Sequence, residues 1–141
     1  VECNTAYPGE RNTTDAHRRT MIKHGWSNLF DVDILDAEGP DLEFPIPNGK
    51  RIQKNLVGKN IKNYDSMLVL SHFKGHPMGG FGGALKQLSI GCASSAGKAN
   101  IHGAGKPEAM WTTEQNAFLE SRPTRRSPSS SFSTARSSTS T

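Results

Sequence analysis

The chain has 141 residues, of which 33% are hydrophobic, and a formal net charge of +4. This length suits one domain with a real core and is too short for two ordinary domains. Four of the 17 basic residues, all arginine, lie in residues 121–141 without any acid, so residues 1–120 carry 13 charges of each sign. The body is therefore neutral, which argues against a protein built to bind nucleic acid.

The number and spacing of the cysteines and the hydropathy of the chain indicate the cellular compartment in which the protein is expected. Cys3 and Cys92 lie far apart without a C-x-x-C pair, a pattern that predicts neither a disulfide framework nor a zinc ribbon. No apolar run approaches the roughly 20 residues of a membrane span, and the N-terminus lacks a signal-peptide pattern. We therefore expect a cytoplasmic protein. The first residue is Val1 rather than methionine, so we expect a fragment of a longer protein.

The first 35 residues contain signals for two strands and a helix. Val1–Asn4 reads as the end of a strand. Thr14 or Asp15 can cap a helix that runs to about His24 and stops at a glycine. Apolar residues alternate with polar ones over residues 30–35, which predicts a half-buried strand.

A hairpin and a short helix are expected next. Leu42–Ile46 and Arg51–Val57 flank the Asn48-Gly49 pair, and this dipeptide is a strong signal for a tight turn between antiparallel strands. Residues 59–64 then read as a short helix that leads into the centre of the chain.

The central stretch predicts a strand, a glycine-rich loop and a helix. Met67–Leu70 is an uninterrupted apolar run, as expected of a strand buried on both faces of a parallel sheet. Five glycines follow, at positions 75, 79, 80, 82 and 83, and an apolar stripe over residues 84–92 predicts a helix. We therefore expect a mixed, mainly parallel α/β sheet with flanking helices. Ligands in such sheets gather where a strand ends and its helix begins.

The C-terminal part reads as a loop, a helix and a tail. Glycines predict a loop over Ser94–Lys106, and Pro107 can open a helix that runs to about Glu120. The domain is thus expected to end at residue 120. Residues 121–141 hold nine serines and no Leu, Ile, Val or Met, which predicts disorder. We favour the hypothesis that this tail is a frame-shifted product, because suitable codons read one nucleotide earlier encode VAPDAAKSVVEFFNGKIVYIN, a helix, a turn and a strand.

The basic side chains around the glycines are the candidate site. Lys74 and Lys86 flank them, and a lysine that reaches over free backbone N–H groups is a common way to hold an anion. The glycines expected to contact the ligand are Gly79, Gly80, Gly82 and Gly83. Neither a Walker motif nor G-x-G-x-x-G is present. Solvated surface lysines are the alternative interpretation.

Histidines and a cysteine near the loop have other possible roles. His72 and His76 could ligate a metal ion together with Cys92, or shuttle a proton near neutral pH. Two histidines do not complete a structural zinc site, which needs four ligands. Hydrogen-bonded loop histidines and a buried, inert thiol are the alternatives.

The residues of this central unit also carry a family resemblance. VECNTAY, NYDSMLVL and SHFKGHPMGGFGGALKQLSIGCASSAGK closely resemble the bacterial and archaeal family of uncharacterised iron-sulfur centre proteins, number 362 among the domains of unknown function. The resemblance covers residues 1–120 and stops at Ser121, where such proteins continue with a helix and a strand. This favours the frame-shift hypothesis.

The resemblance implies an α/β domain followed, in full-length members, by a ferredoxin-like module whose cysteines bind [4Fe-4S] clusters. It thereby implies a redox or electron-transfer role, with a redox partner and a possible oxidoreductase activity for the intact protein. Lys74, His76 and Lys86 match the family motif, so the resemblance and the loop together predict an anionic small molecule held by the lysines and positioned or protonated by His76. Cys3 and Cys92 cannot supply four thiolates, so any cluster is expected only downstream. The alternatives are a non-catalytic anion- or metal-binding module and a nucleic-acid binder that uses the basic tail.

Overall fold

The computed structural model of the protein describes residues 1–114 and 117–118. Its helices are α1 (Thr14–Lys23), α2 (Ala84–Lys86) and α3 (Ser95–His102). Its strands are β1 (Leu42–Pro45), β2 (Lys54–Val57), β3 (Lys74–His76) and β4 (Gly80–Gly82). Short 3-10 turns lie at Trp26–Asn28, Lys59–Asn63 and Pro107–Ala109. The fold is therefore mixed α/β, as predicted.

Helix α1 has the boundaries that its sequence signals predict. The hydroxyl of Thr13 accepts a hydrogen bond from the backbone N–H of Ala16 at 3.3 Å, so the cap lies one residue earlier than expected. The helix ends before Gly25, whose φ of 79° is the left-handed conformation that glycine tolerates. His17 and Met21 turn one face of α1 into the protein interior.

The predicted hairpin is also confirmed. Strands β1 and β2 are antiparallel, with Leu42 opposite Val57. Asn48 in the turn between them has a φ of 60°, a conformation that the Asn-Gly signal anticipates. The short helix expected after β2 is the 3-10 turn at Lys59–Asn63.

The described residues do not form the predicted, mainly parallel sheet. They contain two separate two-stranded sheets, β1–β2 and β3–β4, and both are antiparallel. Among residues 1–114 and 117–118, the one parallel contact is a bridge between Glu2 and Ile34, in which Glu2 N–H donates to the carbonyl of Asp33 and Leu35 N–H donates to the carbonyl of Glu2, each at 2.9 Å. The strands expected at residues 1–4 and 30–35 are thus reduced to one bridge.

The prediction of a central strand at Met67–Leu70 is also wrong. This segment belongs to neither sheet, and the side chains of Leu68 and Leu70 are 85% and 81% exposed. Met67 and Val69 are half-buried, so the segment buries only alternate side chains. An unbroken apolar run does not specify burial on both faces, because burial also requires elements that cover both of those faces.

The loop expected at Ser94–Lys106 contains helix α3 instead. The Ser94 hydroxyl caps it by accepting the Gly97 N–H at 3.0 Å, and Gly103 follows its last residue. Pro107 opens a single 3-10 turn that ends at Ala109, and residues 110–114 are not helical, so the helix predicted from Pro107 to Glu120 is wrong over that part; residues 115–116 and 119–120 lie outside the described residues. The tail at residues 121–141 and its frame-shift hypothesis lie outside them as well.

The core has two parts that meet at the segment between α2 and α3. Helix α2 continues as a π-helical turn over Gln87–Gly91, and that turn buries Ile90. One cluster consists of Ile46, Ile52, Ile90, Ala93, Ile101 and Phe118. The other consists of Cys3, Leu35, Val57 and Ile61. In the part of the chain that the structure describes, no helix is long and apolar enough to cross a bilayer.

Candidate functional site

A cleft of about 390 Å³ opens between the N-terminal segment, the β3–β4 hairpin, α2 and α3. Small-molecule sites in proteins span roughly 300–1,000 Å³. The charged and imidazole side chains that line the cleft are Glu2, Arg11, His72, Lys74, His76, Lys86, Lys98 and His102. Among the described residues, four basic side chains therefore face a single carboxylate, and the cleft is electropositive.

Two of these lysines converge on one glycine. Lys74 starts β3 and lies directly opposite Gly82 on β4, while Lys86 ends α2. A Cβ atom added to Gly82 would lie 3.6 Å from Cδ of Lys86 and 3.9 Å from Cγ of Lys74. Both side-chain stems thus pass over the same Cβ-free position, and the structure brings the two predicted lysines together beside the glycine backbone.

The position of the proton on His76 follows from its contact with the hairpin turn. Its Nδ1 accepts a hydrogen bond from the backbone N–H of Gly79 at 2.9 Å. Since this nitrogen is an acceptor, the neutral ring carries its hydrogen on Nε2. His76 therefore lines the cleft as a ring whose Nε2–H is a donor, which is the chemistry needed to contact an anion.

A buried phenyl ring holds two imidazoles of the cleft. Phe118 is fully buried, and its ring centroid lies 6.1 Å from that of His76 and 5.3 Å from that of His102. His102 also donates from Nδ1 to the carbonyl of Lys98 at 2.7 Å. Burial lowers the pKa of His102, and this hydrogen bond partly opposes that shift. Packing against Phe118 thus fixes the orientation of both histidines.

Lys98 is the most buried cation of the cleft, and sequence reasoning missed it. Its Nζ donates to the carbonyls of Asn4 at 2.7 Å and Ala93 at 2.8 Å, and only 8% of the residue is exposed. Burial lowers its pKa, while the neighbouring Cys3 and Asp36 oppose that effect. The cap at Ser94 and the following Gly103 are the signals that could have placed Lys98 on a helix.

The N-terminal wall of the cleft is tied to α3 by polar contacts. The Asp36 carboxylate accepts the backbone N–H of Asn4 and that of Ser95, each at 2.8 Å, and the Ser95 hydroxyl donates to the carbonyl of Thr5 at 3.0 Å. These bonds join segments that lie far apart in the sequence. They explain why Glu2 and Arg11, which no local motif singles out, line the same cleft as the hairpin.

The structure places only some of the other predicted site residues in the lining of the cleft. Gly82 and Gly83 line the cleft, whereas Gly79 in the hairpin turn and Gly80 at the start of β4 are not among its lining residues. Cys92 packs beside the core cluster that contains Cys3. His72 and His76 line the cleft without Cys92, and the described residues contain no group of three His, Cys, Asp or Glu side chains arranged to hold a metal ion.

The two thiols are poorly suited to coordinate a metal. Burial raises the pKa of Cys3 to about 12, and burial raises the pKa of Cys92 as well. The thiolate is the form that binds metals, and burial disfavours that form at both sulfurs.

The fold and the cleft define a small mixed α/β protein with one strongly basic, glycine-bordered cavity. The family model described as "Domain of unknown function (DUF362)" matches residues 1–134. The chain therefore belongs to this family, as its sequence predicts. No curated protein and no solved structure gives a significant match.

Proposed function

We propose that the basic cleft binds a small anionic molecule that carries a phosphate or carboxylate group. The observation that supports this most directly is the convergence of Lys74 and Lys86 over Gly82. Two ammonium groups on neighbouring elements can approach one anion from two sides.

The rest of the cleft favours the same ligand. Arg11 and Lys98 add positive charge, and Glu2 is the one carboxylate in the lining of the described residues. A cleft lined mainly by one sign of charge concentrates ligands of the opposite sign. In this proposal Lys74 and Lys86 hold the negative charge, and Nε2–H of His76 donates a hydrogen bond that positions the ligand.

An iron-sulfur cluster does not fit the residues of this chain. A [4Fe-4S] cluster needs about four thiolates, and the sequence contains only Cys3 and Cys92. Burial keeps both thiols protonated. We therefore assign no redox step to these residues. Anion binding is the chemistry that a redox protein and a non-catalytic binding module would share.

Calorimetric titration with inorganic pyrophosphate tests the proposal. Lys74→Ala and Lys86→Ala should each weaken binding about tenfold, because one charge-assisted contact contributes roughly 1.5 kcal/mol. Lys62→Ala is the matched control, since Lys62 is exposed, does not line the cleft and removes the same charge. If the two hairpin variants bind pyrophosphate as tightly as the Lys62 variant, the proposal is wrong.

A further inference from the structure

A second and larger cavity lies on the other side of the N-terminal wall. Its volume is about 680 Å³, and it is enclosed by the loop at residues 7–11, helix α1, the 3-10 turn at Trp26–Asn28 and the segment at residues 30–32. It shares Glu2, Thr5, Tyr7 and Arg11 with the basic cleft, so the two cavities adjoin. The proposed function does not use this space.

Aromatic side chains form its walls. Tyr7, Trp26 and Phe30 line the cavity, although they are 41%, 51% and 54% exposed. The rings of Trp26 and Phe30 are paired, with centroids 5.7 Å apart at an angle of 44°. Clustered, exposed aromatic rings at the mouth of a cavity offer large, flat surfaces on which another ring can pack.

The cavity also contains a buried hydrogen-bond acceptor. His17 lines it, and only 1% of this residue is exposed. Its Nδ1 lies 3.1 Å from Oδ1 of Asn4, and Nδ2 of Asn4 donates to the hydroxyl of Thr14 at 3.1 Å. Since the amide oxygen must accept, Nδ1 of His17 carries the hydrogen and Nε2 presents a lone pair. Within the described residues Nε2 makes no hydrogen bond, and it is not among the fully buried side-chain atoms that lack a partner, so it keeps some exposure to the cavity.

Charge distinguishes this cavity from the cleft. Its lining includes the carboxylates of Glu2, Glu10 and Asp31 against the guanidinium of Arg11. Burial lowers the pKa of His17, which keeps the ring neutral near pH 7. The space therefore does not favour an anion.

The walls are held in place without a ligand. The hydroxyl of Thr20 on α1 donates to the carbonyl of Glu10 at 2.9 Å, and the backbone N–H of Thr5 donates to the carbonyl of Arg11 at 2.8 Å. The first bond fastens the end of the loop to α1, and the second joins the segments that precede and end the loop. The cavity is thus preformed, as small-molecule sites usually are.

We propose that this cavity binds an uncharged, planar aromatic molecule that carries a hydroxyl or amino group. The ring of the ligand packs against Trp26 and Phe30, and its O–H or N–H group donates to Nε2 of His17. A ligand without that group leaves Nε2 of His17 without a partner, so the site discriminates between aromatic molecules by a single donor.

Two probes test the proposal: 2-naphthol, and 2-methoxynaphthalene, in which a methyl group replaces the hydrogen of the donor. The chain contains two tryptophans, so an NMR spectrum of ¹⁵N-labelled protein shows two indole N–H signals. The signal that is lost in a Trp111→Phe variant belongs to Trp111, and the other belongs to Trp26. We expect 2-naphthol to shift the Trp26 signal saturably. We expect 2-methoxynaphthalene to bind about tenfold more weakly, because a buried acceptor loses its partner.

A pair of neighbouring variants provides the control. Phe30→Ala removes a cavity wall and should weaken 2-naphthol binding about fivefold. Leu29→Ala should leave it unchanged, because Leu29 is 72% exposed and does not line the cavity. Equal affinity for the two probes, no saturable shift at Trp26, or equal losses in both variants would overturn the proposal. Saturating pyrophosphate should not displace 2-naphthol, so this outcome is independent of the anion site.

Discussion

Replacement of Lys98 by methionine tests how the two halves of the cleft are joined. Methionine keeps most of the apolar stem but removes the ammonium group, which donates to the carbonyls of Asn4 and Ala93. Each buried carbonyl that loses its partner costs about 1–3 kcal/mol. Relief of the desolvated charge returns part of that loss. We therefore expect Lys98→Met to lower the free energy of unfolding by about 2–4 kcal/mol.

Urea denaturation followed by circular dichroism measures this effect. With an m-value of about 1–3 kcal/mol per molar urea, the expected loss lowers the midpoint by roughly 1–2 M. Lys62→Met is the control, because Lys62 is exposed and its replacement should change stability by no more than about 0.5 kcal/mol. If Lys98→Met and Lys62→Met had the same midpoint, the bonds of Lys98 would not hold the N-terminal wall to α3.

Two further predictions concern packing and pH. Gly97→Ala should destabilise the protein by about 2–4 kcal/mol in the same urea assay, because the new Cβ would lie 2.2 Å from the carbonyl oxygen of Leu56. Gly75→Ala meets nothing within 4 Å and should have a much smaller effect; equal effects would contradict the packing. NMR titration should show His17 and His102 with pKa values below 6.5, since burial lowers both. Each histidine then binds its proton more readily in the unfolded chain than in the folded one. The free energy of unfolding should therefore keep its full contribution from these histidines above about pH 6.5 and fall as the pH drops through their folded-state pKa values. A free energy of unfolding that rises on acidification would contradict this.

Local signals in the sequence predicted the elements whose structure is decided by their own residues. Gly25 ends α1 as predicted, the cap lies at Thr13 rather than at the predicted Thr14 or Asp15, and the predicted Asn48-Gly49 turn lies between β1 and β2. In each case a backbone conformation or a short-range hydrogen bond requires a particular residue type. Such requirements can be read without knowledge of the rest of the fold.

The prediction of a central parallel strand failed for a different reason. Met67–Leu70 has the composition of a buried strand, yet Leu68 and Leu70 are exposed because the described residues place neither a partner strand nor a covering layer there. A strand is buried only when another element packs against its apolar face. The apolar run supplies one of the two surfaces and does not specify the element that would cover it.

Helix α3 was missed because its glycines were taken as signs of a loop. Gly97 allows α3 to approach strand β2, since a Cβ there would clash with the backbone of Leu56. Gly103 follows the helix, and a Cβ at this position would lie 1.9 Å from the carbonyl oxygen of Lys106. These glycines permit close contact within ordered structure. The missed helix carries Lys98 and His102, so two cleft residues were missed with it.

The part of the candidate site that is formed by neighbouring residues in the sequence was predictable, and the part formed by distant segments was not. Lys74, His76 and Lys86 lie within 13 positions of one another, and a tight hairpin followed by a helix brings them together. Arg11 and Glu2 reach the cleft only through long-range bonds of the N-terminal segment. A single sequence does not reveal such contacts, because they depend on how distant segments pack.

The most direct test of anion binding at the basic cleft is to map where a phosphate ligand contacts the protein. In an NMR titration with pyrophosphate, the account predicts saturable shifts at the backbone amides of Gly82, Gly83 and Gly91, which line the cleft. The amide of Gly25, beyond helix α1, should not move. Shifts spread evenly over the surface lysines, or saturable shifts elsewhere with none at these three glycines, would contradict the account.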